Sequence, residues 1–120
     1  MNAHLTEIRD KQKDTWNSFS GGWKKWDEMT MNILRPWGDG IIEKLSLNSD
    51  DQVLDIAAGT GEPGLSIAAM VGNGKVVITD LAEGMLATAR AKTELFGLKN
   101  VELLPCDVSD LPFEDNSFDA

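Results

Sequence analysis

Val53-Leu54-Asp55-Ile56-Ala57-Ala58-Gly59-Thr60-Gly61-Glu62-Pro63-Gly64 runs from a compact apolar segment, through a glycine turn, into a helix start. The segment from Gln52 to Ala57 is rich in strand formers and is interrupted by a single acid, Asp55. Such a run, bounded by turn residues, predicts a buried strand. Gly59-Thr60-Gly61 then predicts a tight turn. Pro63 suits a first helical position, where its missing N–H costs nothing. Leu65, Ile67, Ala68 and Val71 carry that helix to a stop near Gly72–Gly74.

The alternation continues downstream. Lys75 to Thr79 predicts a second strand ending at Asp80, and Ala82 to Phe96 a helix with Met85, Leu86, Ala89, Leu95 and Phe96 on one face. Val101 to Pro105 predicts a third strand, Asp107 to Ser117 a polar loop, and Phe118-Asp119-Ala120 the entry to a fourth strand. Strand and helix alternating over roughly 55 residues require parallel pairing with right-handed crossovers. The fold class is therefore α/β, a Rossmann-like doubly wound parallel sheet, with the N-terminal βαβαβ half in strand order 3-2-1. Ligands of such sheets bind at the carboxyl ends of the strands, so function is sought after Ala57, Asp80 and Cys106.

Upstream, residues 1–50 read as helical and contain Trp16, Trp23, Trp26 and Trp37, all four tryptophans of the chain. A first helix is expected to break at Gly21-Gly22, and a second to run from Trp23 to Leu34. Pro36 is expected to end or kink the second, with a short third helix over Gly38 to Leu47. The domain reading is a helical segment, 1–50, and a cofactor-binding half-domain, 51–120. Packing against the sheet is the expected role of the tryptophans, with a cation–π contact to a ligand as the alternative.

Gly59, Gly61 and Gly64 spell G-x-G-x-x-G, and Asp80 follows Gly59 by 21 residues. That spacing matches a dinucleotide fingerprint, so an NAD-dependent oxidoreductase half-domain is one reading. A ligand-free tight turn, in a non-catalytic assembly module that keeps the fold, is another. Asp55 weighs against NAD, because a carboxylate at the end of the first strand would repel a pyrophosphate over the helix N-terminus. A phosphate-free ligand with an ammonium group suits that position.

Val53-Leu54-Asp55-Ile56-Ala57-Ala58-Gly59-Thr60-Gly61 resembles the first motif of class I S-adenosylmethionine-dependent methyltransferases. Val77-Ile78-Thr79-Asp80-Leu81-Ala82-Glu83-Gly84-Met85-Leu86 resembles their second-strand motif. Cys106-Asp107-Val108-Ser109-Asp110-Leu111-Pro112-Phe113 and Asp115 to Ala120 resemble their third-strand loop and the entry to strand four. The pattern is most similar to the ubiquinone/menaquinone-biosynthesis type, with Ala57 where that family has glycine.

The resemblance implies a methyltransferase, or its cofactor-binding N-terminal fragment, that uses S-adenosylmethionine and a small-molecule acceptor. It implies that Asp55 holds the methionine ammonium and that Ala57, Gly59, Thr60 and Gly61 line the methionine and ribose. It further implies that Asp80 accepts from the ribose hydroxyls and that Leu81 packs on adenine. Asp107 would accept from the adenine amino group, and the Val108 amide would donate to a ring nitrogen. It makes the N-terminal helices a lid, and it assigns the acceptor pocket and any general base to strand four and beyond, so no catalytic residue is named.

Composition narrows the partners. Eleven Lys and Arg against 20 Asp and Glu give a formal charge of −9, which disfavours nucleic acid and anionic membrane surfaces. One cysteine, Cys106, excludes an internal disulfide framework and suits a reducing, cytoplasmic compartment. Cys106 itself reads as a small buried residue rather than a nucleophile. No apolar run reaches the roughly 18 residues of a membrane span. The acids Asp107, Asp110, Glu114, Asp115 and Asp119 lie at irregular spacing with no histidine, so no metal site is expected. With strand four only begun, the first strand is expected to be an exposed edge and a template for self-association. The chain reads as cut short before strand four.

Overall fold

The computed structural model describes residues 2–120. Two long helices, α1 (Ala3–Lys25) and α2 (Asp27–Leu45), precede β1 (Gln52–Asp55), α3 (Gly64–Met70), β2 (Lys75–Asp80), α4 (Glu83–Leu95) and β3 (Val101–Pro105). A short 3-10 turn, Val108–Asp110, follows. The three strands form one parallel sheet in which β2 lies between β1 and β3, the expected order. Asp55 pairs in register with Ile78, and Asp80 with Pro105. The three strand ends that precede the candidate loops therefore open on the same side.

The core is built where the sequence alternates. Val53, Leu65, Ile67, Ala68, Val71, Val76, Ile78 and Leu86 are buried together between the sheet and α3 and α4. Asn100 closes α3 from a distance, its side-chain amide donating to the carbonyls of Ala68 and Val71, both at 2.9 Å. The first supplies a donor at the helix end, and the second joins the Gly74 amide, which also donates to the Val71 carbonyl.

The N-terminal segment differs from expectation. α1 passes through Gly21 and Gly22, and α2 passes through Pro36, so three short helices become two long ones. The break falls instead at Trp26, with φ −105° and ψ 13°. A helical glycine costs about 1 kcal/mol and an interior proline about 3 kcal/mol. Tertiary contacts on either side of Trp26 outweigh these local preferences. α1 docks on α4 rather than on the sheet. The tryptophans accordingly do not pack on the sheet as expected. Trp16 and Trp23 face each other at 6.3 Å, and Trp26 and Trp37 stay 52% and 73% exposed.

Two ends are also corrected. The first strand stops at Asp55 rather than Ala57, because Ala57 takes a positive φ of 55°. Pro63 caps α3 instead of occupying its first turn position. At the other edge β1 is not bare. The Asp119 amide donates to Gln52 O at 2.8 Å, and the Leu54 amide donates to Ala120 O at 2.9 Å. An edge-on pair of Phe113 and Phe118, 5.0 Å apart, ties the intervening loop back on itself.

Candidate functional site

The site grows out of the turn after β1. Ala57, Gly59 and Gly61 have φ of 55°, 57° and 112°, so three residues in five lie in the left-handed region. A Cβ on Gly61 would stand 2.8 Å from Leu65 Cδ1 and 3.1 Å from Ala89 Cβ. Glycine is required there both by conformation and by the close approach of α3 and α4. The turn thus lies low against the two helices.

Two carboxylates organise its amides. Asp55 Oδ2 accepts from the Gly64 amide at 2.9 Å, which fills the N-terminus of α3 from beneath. Asp80 Oδ2 accepts from the Gly59 amide at 2.9 Å, and its Oδ1 accepts from the Ala82 amide at 2.8 Å. Asp80 therefore joins the turn after β1 to the turn after β2. Thr79 reinforces the pairing by donating its hydroxyl to Asp55 O at 3.0 Å. Burial pushes the Asp55 carboxyl up to about 6, against the lowering effect of the Gly64 amide and with help from the nearby Glu62 and Asp80 charges. A carboxyl so raised gains most from a cationic partner.

The third loop contributes Asp107. Its Oδ1 accepts from the Ser109 amide at 2.9 Å and the Ser109 hydroxyl at 2.8 Å, which hold its carboxyl below the usual range. Val108 follows with its side chain exposed, and Leu81 is half-buried beside Asp80. The Cys106 amide donates to Asp80 O at 3.1 Å, so the loops after β2 and β3 are held together. Cys106 is half-buried rather than buried as expected, and desolvation pushes its thiol up. Asp55, Ala57, Gly59, Gly61, Asp80, Leu81 and Asp107 thus sit on the three loops at one end of the sheet. Thr60 is different: it is 2% exposed and its hydroxyl donates to Asp27 Oδ1 of α2 at 2.6 Å. Among the described residues no cluster has the composition of a metal site.

Sequence reasoning missed the residues that join the helices to this end of the sheet. Asn17 Oδ1 accepts from the Gly84 amide at 2.8 Å, supplying from α1 the cap that α4 lacks in its own sequence. Asp27 Oδ2 accepts from Lys92 Nζ at 3.0 Å. Their partners lie 65 to 67 residues away in sequence, and no local pattern marks them. Beside this junction Phe19, Gly22, Trp23, Trp26, Met29 and Thr30 line an open apolar groove of about 540 Å³.

The fold and the loop geometry define a Rossmann-like half-sheet with carboxylate acceptors on the loops at the carboxyl ends of its strands. The chain belongs to the methyltransferase domain family, whose model matches residues 53–120. It is 35% identical to a ubiquinone/menaquinone biosynthesis C-methyltransferase of Francisella philomiragia, over 97% of this chain and 50% of that protein. A SAM-dependent methyltransferase structure from Aquifex aeolicus superposes with TM-score 0.61 at 33% identity, covering 68% of this chain and 44% of that one. A phosphoethanolamine N-methyltransferase structure from Haemonchus contortus reaches TM-score 0.76 over 98% of this chain and 25% of that one. At 22% identity it shows the shared fold alone, here with the N-terminal helices included. The chain spans half or less of the length of the curated relatives it matches.

Proposed function

We propose that this chain is the S-adenosylmethionine-binding part of a methyltransferase acting on a small-molecule acceptor. The observation that carries the reading is the pair Asp55 and Asp80. Their carboxylates take the amides of Gly64 and Gly59, the groups that a pyrophosphate would need. What remains facing outward is acceptor-rich. It fits an ammonium and a ribose diol and repels a dinucleotide's phosphates. The left-handed turn at Gly59 and Gly61, which carries no Cβ at either position, fits close backbone approach by the same ligand.

When bound, S-adenosylmethionine supplies an activated methyl group for in-line displacement. The chain's own residues bind and orient. Asp55 holds the ammonium, the turn from Ala57 to Gly61 lines the methionine and ribose, and Asp80 accepts from the ribose hydroxyls. Leu81, Asp107 and the Val108 amide receive the adenine. The domain reading is a helical lid over 1–50 and a cofactor-binding half over 51–120, and a cytoplasmic location accords with the single free thiol, Cys106. No helix among the described residues is long and apolar enough to cross a membrane. The relatives named for ubiquinone and menaquinone biosynthesis, together with the apolar groove beside Trp26, favour an apolar ring compound as acceptor.

Calorimetric titration with S-adenosylmethionine, S-adenosylhomocysteine and NAD tests the reading. The first two are expected to bind and NAD is not. Binding of NAD alone would overturn it in favour of an oxidoreductase, and binding of none would favour an assembly module.

A further inference from the structure

Asp27 stands at the first position of α2, and its two carboxylate oxygens leave the helical segment in different directions. One accepts from the Thr60 hydroxyl in the glycine turn at 2.6 Å; the other accepts from Lys92 on α4 at 3.0 Å. The side chains of Asp27 and Lys92 are each 15% exposed, and Thr60 is 2% exposed, so the cluster is shielded from solvent. A single carboxylate thus fastens α2, the glycine turn and α4 together. The chain break between the two long helices falls at Trp26, immediately before the fastened residue. Trp26 also lines the apolar groove.

We propose that Asp27 is a positioning residue that couples the glycine turn to the helical segment through Thr60. The docked position of the α1–α2 junction and the occupied state of the turn then favour each other. Such coupling is reciprocal: whatever fixes the turn fixes the junction, and the groove beside it, by the same factor. The bond gives Thr60 a task that its backbone alone does not perform. Valine has nearly the same shape but no hydroxyl, whereas serine keeps the hydroxyl. The coupling rests on the proposed function only for the identity of the ligand that fills the turn.

Hydrogen exchange of the full chain, with and without S-adenosylhomocysteine, tests it on peptides covering residues 23–30. The ligand is expected to slow exchange there by about tenfold in the unmodified chain and in Thr60→Ser, as typical coupling strengths allow. In Asp27→Ala that protection is expected to vanish while protection of residues 55–64 persists, because Asp27 lies outside the turn that receives the ligand. Thr60→Val, which leaves Asp27 its bond to Lys92, is expected to lose the protection of residues 23–30 as well should Asp27→Ala fail to fold. Equal protection of residues 23–30 in either variant, or protection of the turn alone in the unmodified chain, overturns the proposal. If the ligand protects neither region, the cofactor reading fails instead, and ligand-free rates decide the coupling. Exchange at 23–30 about fivefold faster in Thr60→Val than in Thr60→Ser then sustains it, and equal rates overturn it.

Discussion

Asp55 is the residue at which burial and charge are most at odds. Its carboxyl, raised to about 6 in the folded chain, holds a proton that the unfolded chain has already released. The folded state therefore gains stability from Asp55 below the ordinary carboxyl value of 3.8 and loses it as pH rises through about 6. The difference is of order 2 kcal/mol after allowance for screening. The ligand-free chain is expected to melt at a lower temperature at pH 7 than at pH 5, and Asp55→Asn to remove that dependence; scanning calorimetry checks both. An ammonium-bearing ligand works in the opposite sense, because it stabilises the ionised form. Its affinity is expected to rise with pH through about 6, and a flat binding profile would remove Asp55 from the ammonium site.

Asp80 carries a different load. Asp80→Ala is expected to weaken S-adenosylhomocysteine binding by about tenfold or more, because it removes the ribose acceptor and frees the Gly59 and Ala82 amides. Unchanged affinity by titration calorimetry would refute the ribose role. These two acids were legible in the sequence because their spacing from the glycines is fixed by a strand, a turn and a helix of set length. Asn17, Asp27 and Lys92 were not, because each acts on a partner more than 60 residues away.

At the scale of elements, the contact between α1 and α4 is the part of the structure most open to test. A Cβ on Gly84 would meet Ser20 Oγ at 2.6 Å and Asn17 Oδ1 at 3.0 Å, so Gly84 sets how closely the two helices approach. Gly84→Ala is expected to displace α1 despite alanine's better helix propensity, and Asn17→Ala to lower stability by about 1 kcal/mol through loss of the cap. Thermal melts compared with Gly72→Ala, where added side-chain atoms meet open space, separate the two effects. The sheet and its crossover helices were readable to within a residue or two, since β2 and β3 are short apolar runs and α4 carries Met85, Leu86 and Ala89 at helical spacing ahead of Gly97, although Leu95 and Phe96 at its end are exposed rather than on the buried face. The helical segment was not. Its breakers at Gly21 and Gly22 are overruled by docking of α1 onto α4, and α2 runs through Pro36 with Asp27 fastened at its start and Ile42 packed on the core, contacts that a local pattern does not contain.

For the molecule as a whole, charge and apolar surface are divided between the two parts. Residues 1–50 hold seven basic and eight acidic side chains, whereas residues 51–120 hold four and twelve. The near-neutral part also presents Phe19, Trp26, Met29, Ile33, Trp37 and Ile41, each more than half exposed. A hydrophobic dye is therefore expected to bind the folded chain, and Trp37→Ser with Ile33→Ser to reduce the signal without lowering the melting temperature. Association through β1, if it occurs, must first move residues 118–120 from their bonds to Gln52 and Leu54. Light scattering across a concentration series is expected to give a weaker self-association than a bare parallel edge would.

The cap that Asn17 lends to α4 also orders events in time. Its acceptor leaves the ribosome long before Gly84 does, and Asp27 likewise precedes Lys92 by 65 residues. The first third of the chain must therefore wait, with Asn17 and Asp27 lacking their later partners, until the later βαβ unit has emerged and closed a long loop. The junction between the helical segment and the sheet is therefore the last part of the fold to close.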